Sequence, residues 1–321
     1  MQYDIIGDLH GHADHLIALL TKMGYRETQG AWRHPERQAL FVGDFIDRGP
    51  QQIKTVMIVR RMVEAGSAQA IMGNHELNAI AWFLPDPDQP NDFLRSHHSP
   101  QYGETNRRQH AAFLAEVEHN PALHQEIIDW FLSLPLWLEL PELRLVHACW
   151  HPPFIEFFKP LLIDGRYLSP ELMVAASREP NDLADKDDPQ PSVFKAVEAL
   201  TKGIETPLPA GHDFIDKDQI TRRRVRLRWW DAAADTYQTA AMLDSSIRAQ
   251  LPALPIPPHQ RLPYQAHQPL FIGHYWLTGE PTPLSNQVAC VDYSIAKHGK
   301  LCAYRWQGEK ILTSEGYCCV A

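Results

Sequence analysis

Acidic and imidazole side chains cluster at five places along the chain, each directly after an apolar stretch. Asp8 and His10 stand in GDLHG. Asp44, Asp47 and Arg48 stand in GDFIDRG. Asn74 and His75 follow in GNHE, His147 in VHA and His274 in GH. Carboxylates left unpaired in such apolar settings would be costly, so these groups need partners. Asp8, His10, Asp44, Asn74, His147 and His274 together offer carboxylate oxygens, an amide oxygen and imidazole nitrogens. Mixed donor sets of this kind suit Mn²⁺, iron or Zn²⁺ better than Ca²⁺. They exceed the needs of one catalytic ion with an open position. Two divalent ions sharing one aspartate would use them all, with manganese the first expectation and iron and zinc the alternatives. Taken singly, Asp8 and His10 would fit a capped turn, and His147 or His274 an ordinary strand histidine. Their joint occurrence gives the metal reading its weight.

The elements that would position these groups are legible in part. Tyr3–Ile6 reads as a strand, and residues i and i+2 of a strand share a face. Asp8 and His10 should therefore converge just beyond its tip. His15, Leu16, Leu19, Leu20 and Met23 recur at helical spacing up to Gly24. Gln38–Asp44 and Ala68–Asn74 read as further strands, with helices at Ile53–Ala65 and Glu76–Phe83. Three βα units in succession imply a mainly parallel sheet, and in open sheets of that type ligands bind at the carboxyl ends of the strands. Pro85–Phe93 reads as a loop, Arg107–His119 and Leu123–Leu134 as helices, and Leu136–Trp150 as two strands around a turn at Pro141–Glu142. Residues 152–209 are proline-rich and mixed, as expected of a cap inserted beside the sheet. Ala232–Pro263 suggests a helix and an irregular connection. Strands return in PLFIGH, QVACVDYS, LCAYRW and KILTS.

Bulk properties narrow the class. The chain has 321 residues, of which 44% are hydrophobic and 21% charged, enough for a sizeable core. A formal net charge of −9 gives no footprint for nucleic acid. Five cysteines, an odd number without zinc-type CxxC pairs, make a disulfide framework unexpected and point to a reducing compartment. No basic start with an apolar signal segment is visible, and no apolar run is long enough to span a bilayer. The expectation is a cytoplasmic protein without a membrane partner.

In their order, GDLHG, GDFIDRG, GNHE, VHA and GH resemble the phosphoprotein-phosphatase (serine/threonine phosphatase) branch of the calcineurin-like metallophosphoesterases, which has bacterial diadenosine-tetraphosphatase-like relatives. The motifs run from Gly7 to His274. The resemblance implies an α/β fold in which two sheets pack as a sandwich flanked by helices. Residues 1–321 would form a single domain, with residues 152–209 as its inserted cap. It also implies that Asp8, His10 and Asp44 hold one ion and that Asp44 bridges to a second, completed by Asn74, His147 and His274. His75 would protonate the leaving group, Asp47 would orient His75, and Arg48 and Asn74 would bind the phosphoryl group. General chemistry agrees with those roles. Two cations about 3.5–4 Å apart can share a water, lower its pKa and present it as a bridging hydroxide for in-line attack. Arginine forks onto phosphate oxygens, and an alkoxide leaving group needs a proton.

Some features depart from that branch. Ala148 and Cys149 follow His147 where the family usually has two glycines. The family's late aromatic loop has no clear counterpart, leaving Tyr275 and Tyr293 as candidates. A second phosphate-binding arginine is expected from RRRVRLRWW, with Arg226 and Arg228 the substrate-binding candidates, although a solvated strand face is an equally good account of that segment. Trp229 and Trp230 read as core, Cys149 as a buried apolar residue, Cys318 and Cys319 as tail residues, and His151 as a surface or cap residue. His212 competes with His274 as a ligand. The activity expected first is phosphate-ester hydrolysis by a serine/threonine-type or general phosphatase. Hydrolysis of dinucleoside polyphosphates is the alternative. A non-catalytic phosphate-binding scaffold is a remote third, since it predicts missing ligands.

Overall fold

A computed structural model describes residues 2–180, 182–215 and 220–321. Two sheets lie face to face. In the first, Gln2–Ile6 pairs in parallel with Arg37–Phe41, which pairs in parallel with Ala68–Ala70. On its other side Gln2–Ile6 meets Lys300–Trp306 antiparallel, and that strand also pairs with Asp292–Tyr293 and Tyr317–Val320. The second sheet orders Val288–Cys290, Leu270–Ile272, Arg144–Val146 and Trp137–Glu139. Strand alternation assigns the two faces. Tyr3, Ile5, Leu40, Leu145 and Phe271 fill the layer between the sheets. Their neighbours Ile6, Ala39, Phe41, Val146 and Ile272 point outward into the larger core under the helices.

The helix Ala13–Met23 shows how the outer layer forms. Leu16, Leu19, Leu20 and Met23 line its buried face at helical spacing, and Gly24 ends it in the left-handed region at φ 95°. Helices Gln52–Glu64, Asn74–Phe83 and Pro121–Leu132 bury comparable stripes.

Several expectations need correction. Two strands stop short of their polar clusters, at Phe41 and Ala70, and Asn74 opens a helix rather than ending a strand. Gln2–Ile6 likewise ends before Asp8, so strand alternation does not bring Asp8 and His10 together; the loop does. The helix expected over Arg107–His119 is broken at His110 into Gly103–Gln109 and Ala111–Val117. KILTS is not a strand. The last strand is Tyr317–Val320, which contains Cys318 and Cys319. Cys302 and Cys319 are joined as a disulfide, because antiparallel register sets them opposite each other. A cysteine count cannot reveal that register, and the cysteine argument for a reducing compartment falls with it. The short hairpin of Arg26–Thr28 and Ala31–Arg33 escapes the pattern reading because its first strand is wholly exposed.

Within 152–209, helices Pro152–Phe158 and Pro170–Ser177 both pack on Val193–Lys202. Ala148 N–H donates to Leu200 O at 2.9 Å, fixing this group beside the His147 strand. Structure of this kind continues past residue 209, since Glu205–Pro207 pairs with Arg224–Arg226. Among the described residues, no helix is long and apolar enough to cross a membrane.

Candidate metal centre

The polar clusters meet at one edge of the sandwich because the backbone turns sharply after each strand. His10, Asp44, Asp47, Arg48 and His274 all lie at positive φ, at 43°, 55°, 72°, 72° and 69°. Such conformations cost on the order of 1–3 kcal/mol each for non-glycine residues and persist only when the surroundings impose them. The imposing contacts are specific. Leu9 and His10 both donate their N–H to Asp44 O at 2.9 Å, and Gly11 N–H donates to Phe45 O at 2.8 Å. Gly43 and Gly73 approach so closely that a Cβ on Gly43 would sit 2.4 Å from Gly73 N. Glu76, fully buried, accepts the N–H groups of Asp44, Phe45 and Gly73 at 2.8, 2.7 and 2.9 Å. It lies within GNHE, yet nothing in the motif separates this backbone clamp from a solvent-facing helix residue.

Asp44 is the centre of the cluster. Its Oδ2 lies 3.8 Å from His10 Nε2, 3.9 Å from His75 Nε2 and 3.3 Å from His147 Nε2. Asn74 Oδ1 is 3.2 Å from His147 Nε2 and 2.9 Å from His274 Nδ1. His10 and His147 donate through Nδ1 to the carbonyls of Ile46 and Val42, at 2.9 and 2.7 Å. That leaves each Nε2 as a lone pair aimed inward, the usual way a protein orients an imidazole ligand. Asp8 is turned to the His274 backbone N–H, at 3.1 Å from Oδ2.

Two groups of donors are close enough to hold an ion each: His10, Asp44 and His75 on one side, Asp44, His147 and His274 on the other. Asp44 belongs to both. The electrostatics suit a cation. Burial, then Asp292 and Asp44, push the Asp8 carboxyl well above its ordinary range. Burial and His75 drive His10 down to about 3. Burial opposes charge on His147 too, but Asp44 and Asp8 carry it up to about 10. His274 Nε2 is buried without a hydrogen-bond partner. The buried carboxylates of Asp8 and Asp44, an orphaned imidazole nitrogen and lone pairs turned inward fit divalent cations on either side of Asp44.

His75 sits beside this centre with Nδ1 2.5 Å from Asp47 Oδ2. His110 Nδ1 lies 2.8 Å from the same oxygen, though off the line for a good hydrogen bond. Burial would raise the Asp47 carboxyl, but His110 and His75 bring it down to about 2. His110 comes from the break between two helices, far from any motif, and carries no sequence signal. Arg48 reaches over the site from outside, with Nη1 3.1 Å from His10 Nε2 and Nη2 3.3 Å from His75 Nε2.

The remaining candidates lie farther out. Arg226 pairs with Glu205 at 3.2 Å, and its charge is close enough to help depress the His274 pKa. Arg228 meets the Thr239 carbonyl and Asp231, so the strand that would have put the two arginines on one face ends at Arg226. His212 is exposed. His151 is buried rather than at the surface, and its Nδ1 caps helix Pro152–Phe158 at Phe154 N–H, 3.2 Å away. Trp229, Trp230 and Cys149 are buried. Tyr275 hydrogen-bonds Trp229 Nε1 and Ala148 O, and Tyr293 hydrogen-bonds Thr282.

A family model described as calcineurin-like phosphoesterase matches residues 1–175. The asymmetrical bis(5′-nucleosyl)-tetraphosphatase PrpE of Oceanobacillus iheyensis is 34% identical over 149 residues, 46% of this chain and 55% of that protein. Its namesake from Halalkalibacterium halodurans is 45% identical over 76 residues, 23% of this chain and 31% of the relative. The matches thus span about half or less of the length of these curated relatives. Among solved structures, a cold-active protein tyrosine phosphatase superposes with a TM-score of 0.50 at 18% identity, over 95% of this chain and 73% of the other. At that identity the likeness concerns the fold.

Proposed function

The chain belongs to the calcineurin-like phosphoesterase family, and from that premise we propose that it hydrolyses dinucleoside polyphosphates with two divalent ions, manganese first and iron or zinc as alternatives. The observation that carries the metal-dependent part is the position of Asp44, one carboxylate common to two donor groups. Asp8, His10 and Asp44 would hold one ion, and Asp44, Asn74, His147 and His274 the other. Bound there, the ions would supply charge neutralisation for the phosphoryl group and a water of lowered pKa.

The chain's own side chains divide the rest of the work. Arg48 grips two phosphoryl oxygens with its fork, and Asn74 adds its amide to the same group. His75 donates a proton to the leaving oxygen from Nε2. Asp47 holds the other ring nitrogen and keeps the imidazole in the orientation that donation needs. Arg226 provides a contact on the cap side, while Arg228 is taken up by Asp231 and the Thr239 carbonyl. A cavity of about 380 Å³ is lined by cap residues including Phe154, Phe194 and Lys202 and by Arg226, with Glu198 and Glu205 set beside the two cations; its walls are apolar and charge-paired.

The serine/threonine phosphatase expectation gives way to this substrate class for two reasons. The curated relatives bear the tetraphosphatase name. The segment after His147 also carries Ala148 and Cys149 in place of the paired glycines of the protein phosphatases. The cytoplasm stays part of the proposal. Purified protein reconstituted with Mn²⁺ should cleave diadenosine tetraphosphate with a kcat/KM at least tenfold above that for a phosphoserine peptide or a nitrophenyl ester. A preference for the phosphopeptide would overturn the substrate assignment. Activity that survives full removal of divalent ions would overturn the mechanism.

A further inference from the structure

Trp276 stands two residues beyond His274 and is 37% exposed at the mouth of the site. Two cations share its ring. The Arg48 guanidinium carbon lies 4.9 Å from the ring centroid, and Lys297 Nζ lies 3.8 Å from it. An indole is the best aromatic partner for a cation, and here one ring lies against two, drawn from separate segments of the chain.

The placement is built, not incidental. Trp276 and Lys297 come from different loops, and one buried carboxylate ties those loops together. Asp292 Oδ2 accepts Trp276 N–H at 2.8 Å, and Oδ1 accepts Ser294 N–H at 3.0 Å. Leu277 N–H donates to Asp292 O at 3.1 Å, and Ser294 Oγ returns a hydrogen bond to Leu277 O at 3.1 Å. Within the second loop, Lys297 and Gly299 both donate N–H to Ser294 O, at 2.8 and 2.9 Å. Gly299 has no room for a side chain, since a Cβ would fall 2.1 Å from Tyr293 O. Trp276 and Ser294 are held at positive φ, 49° and 63°. Two strained, cross-tied turns therefore deliver one indole and one ammonium to the side of the guanidinium that reaches His10 and His75.

We propose that Arg48, Trp276 and Lys297 form one unit in which Arg48 takes the reacting phosphoryl group and Lys297 takes the next phosphate along an anhydride chain. Trp276 is the positioning residue that spaces the two cations. The proposal rests on the dinucleoside-polyphosphate reading and deepens it. It gives the metal edge itself, rather than the cap, the contact that distinguishes a chain of phosphates from a single one.

Inhibition by inorganic anions tests the unit without requiring that the substrate class be right. Tripolyphosphate and orthophosphate are measured as competitive inhibitors of nitrophenyl phosphate hydrolysis by the Mn²⁺-loaded protein, at matched free metal. The readout is the ratio of the two inhibition constants. Lys297→Met should move that ratio against tripolyphosphate by about five- to tenfold, as expected for losing one charge-assisted contact at an exposed site. Trp276→Leu should move it in the same direction, and Trp276→Phe, which keeps a ring, should restore most of it. Equal changes for both anions, or no change, would overturn the proposal. So would a Trp276→Phe variant as impaired as Trp276→Leu. Lys297 is exposed, so its variant should fold, and a melting curve confirms that. If the wild type fails to cleave diadenosine tetraphosphate while the ratio still shifts, the substrate assignment fails and the two-phosphate unit stands.

Discussion

The metal edge and the cap use charged residues in opposite ways. At the edge, Asp8, Asp44, Asp47 and Glu76 are all at most 1% exposed, and each is held by backbone N–H groups or by histidines. In the cap and the strands beyond it, charges pair with one another near the surface: Arg224 with Asp187, Arg226 with Glu205, Lys202 with Glu198 and Arg228 with Asp231. Pairs of the second kind are worth little and weaken with salt. Those of the first kind are expensive to bury and costly to break. The edge is therefore where a substitution should abolish function, and the cap is where one should tune it.

The largest effect should come from Asp44→Asn. It removes the one carboxylate common to both donor groups, so metal content should fall before anything else. The wild type reconstituted with Mn²⁺ should approach about two ions per chain by elemental analysis, as a two-ion site requires. The variant should hold less than one and lose activity in proportion. A wild type saturating firmly at one ion with full activity would remove the shared-carboxylate scheme.

His75→Asn should rank next and should differ in kind. A general acid contributes about 10²–10⁴-fold, and that loss should appear in kcat with metal content unchanged. It should shrink for a nitrophenyl ester, whose leaving group needs little protonation. His75 Nε2 nevertheless lies in the donor group of His10 and Asp44. If the substitution instead strips metal and affects good and poor leaving groups alike, His75 is a ligand, and the contrast with Asp44 disappears.

Glu76→Gln sharpens the comparison from the structural side. Its carboxylate serves three backbone N–H groups, and an amide puts an NH₂ against at least one of them. An unsatisfied buried donor costs about 1–3 kcal/mol, which a denaturation midpoint should show as a lower stability in the metal-free protein. A neutral result would mean that the strained turns at Asp44 and Gly73 hold themselves, without the clamp.

What the sequence conveyed follows the same division. GDLHG, GDFIDRG and GNHE were legible because each is a short run after a strong apolar stretch, and the first helix because its apolar residues keep the helical period. The turns themselves were not. A non-glycine residue at positive φ, such as Asp44 or His274, leaves no signature in composition, and so the sequence points to strand alternation for the convergence of Asp8 and His10, although the strand ends at Ile6. His110, Asp292 and Trp276 act through contacts between distant segments, which spacing does not encode. The same holds for the Cys302–Cys319 pair, set by the register of strands at the end of the chain. In the cap, short elements and exposed pairs gave the pattern reading little to follow past residue 209.

The smallest effects should come from the two cap-side arginines, and there the comparison can be broken most cheaply. Arg226 is near enough to His274 to act on its pKa; Arg228 is occupied by Asp231 and the Thr239 carbonyl. Arg226→Ala should raise KM for diadenosine tetraphosphate severalfold with kcat little changed, whereas Arg228→Ala should chiefly lower the melting temperature. Because both side chains are about a third exposed, the Arg226 effect should fade as salt rises and the Debye length contracts from about 10 Å at 0.1 M toward about 3 Å at 1 M. The His75 effect, made inside a buried cluster, should not fade. An Arg226→Ala loss that survives high salt and appears in kcat would move that arginine from the cap into the chemistry of the metal edge, and the line drawn between the two regions would have to move with it.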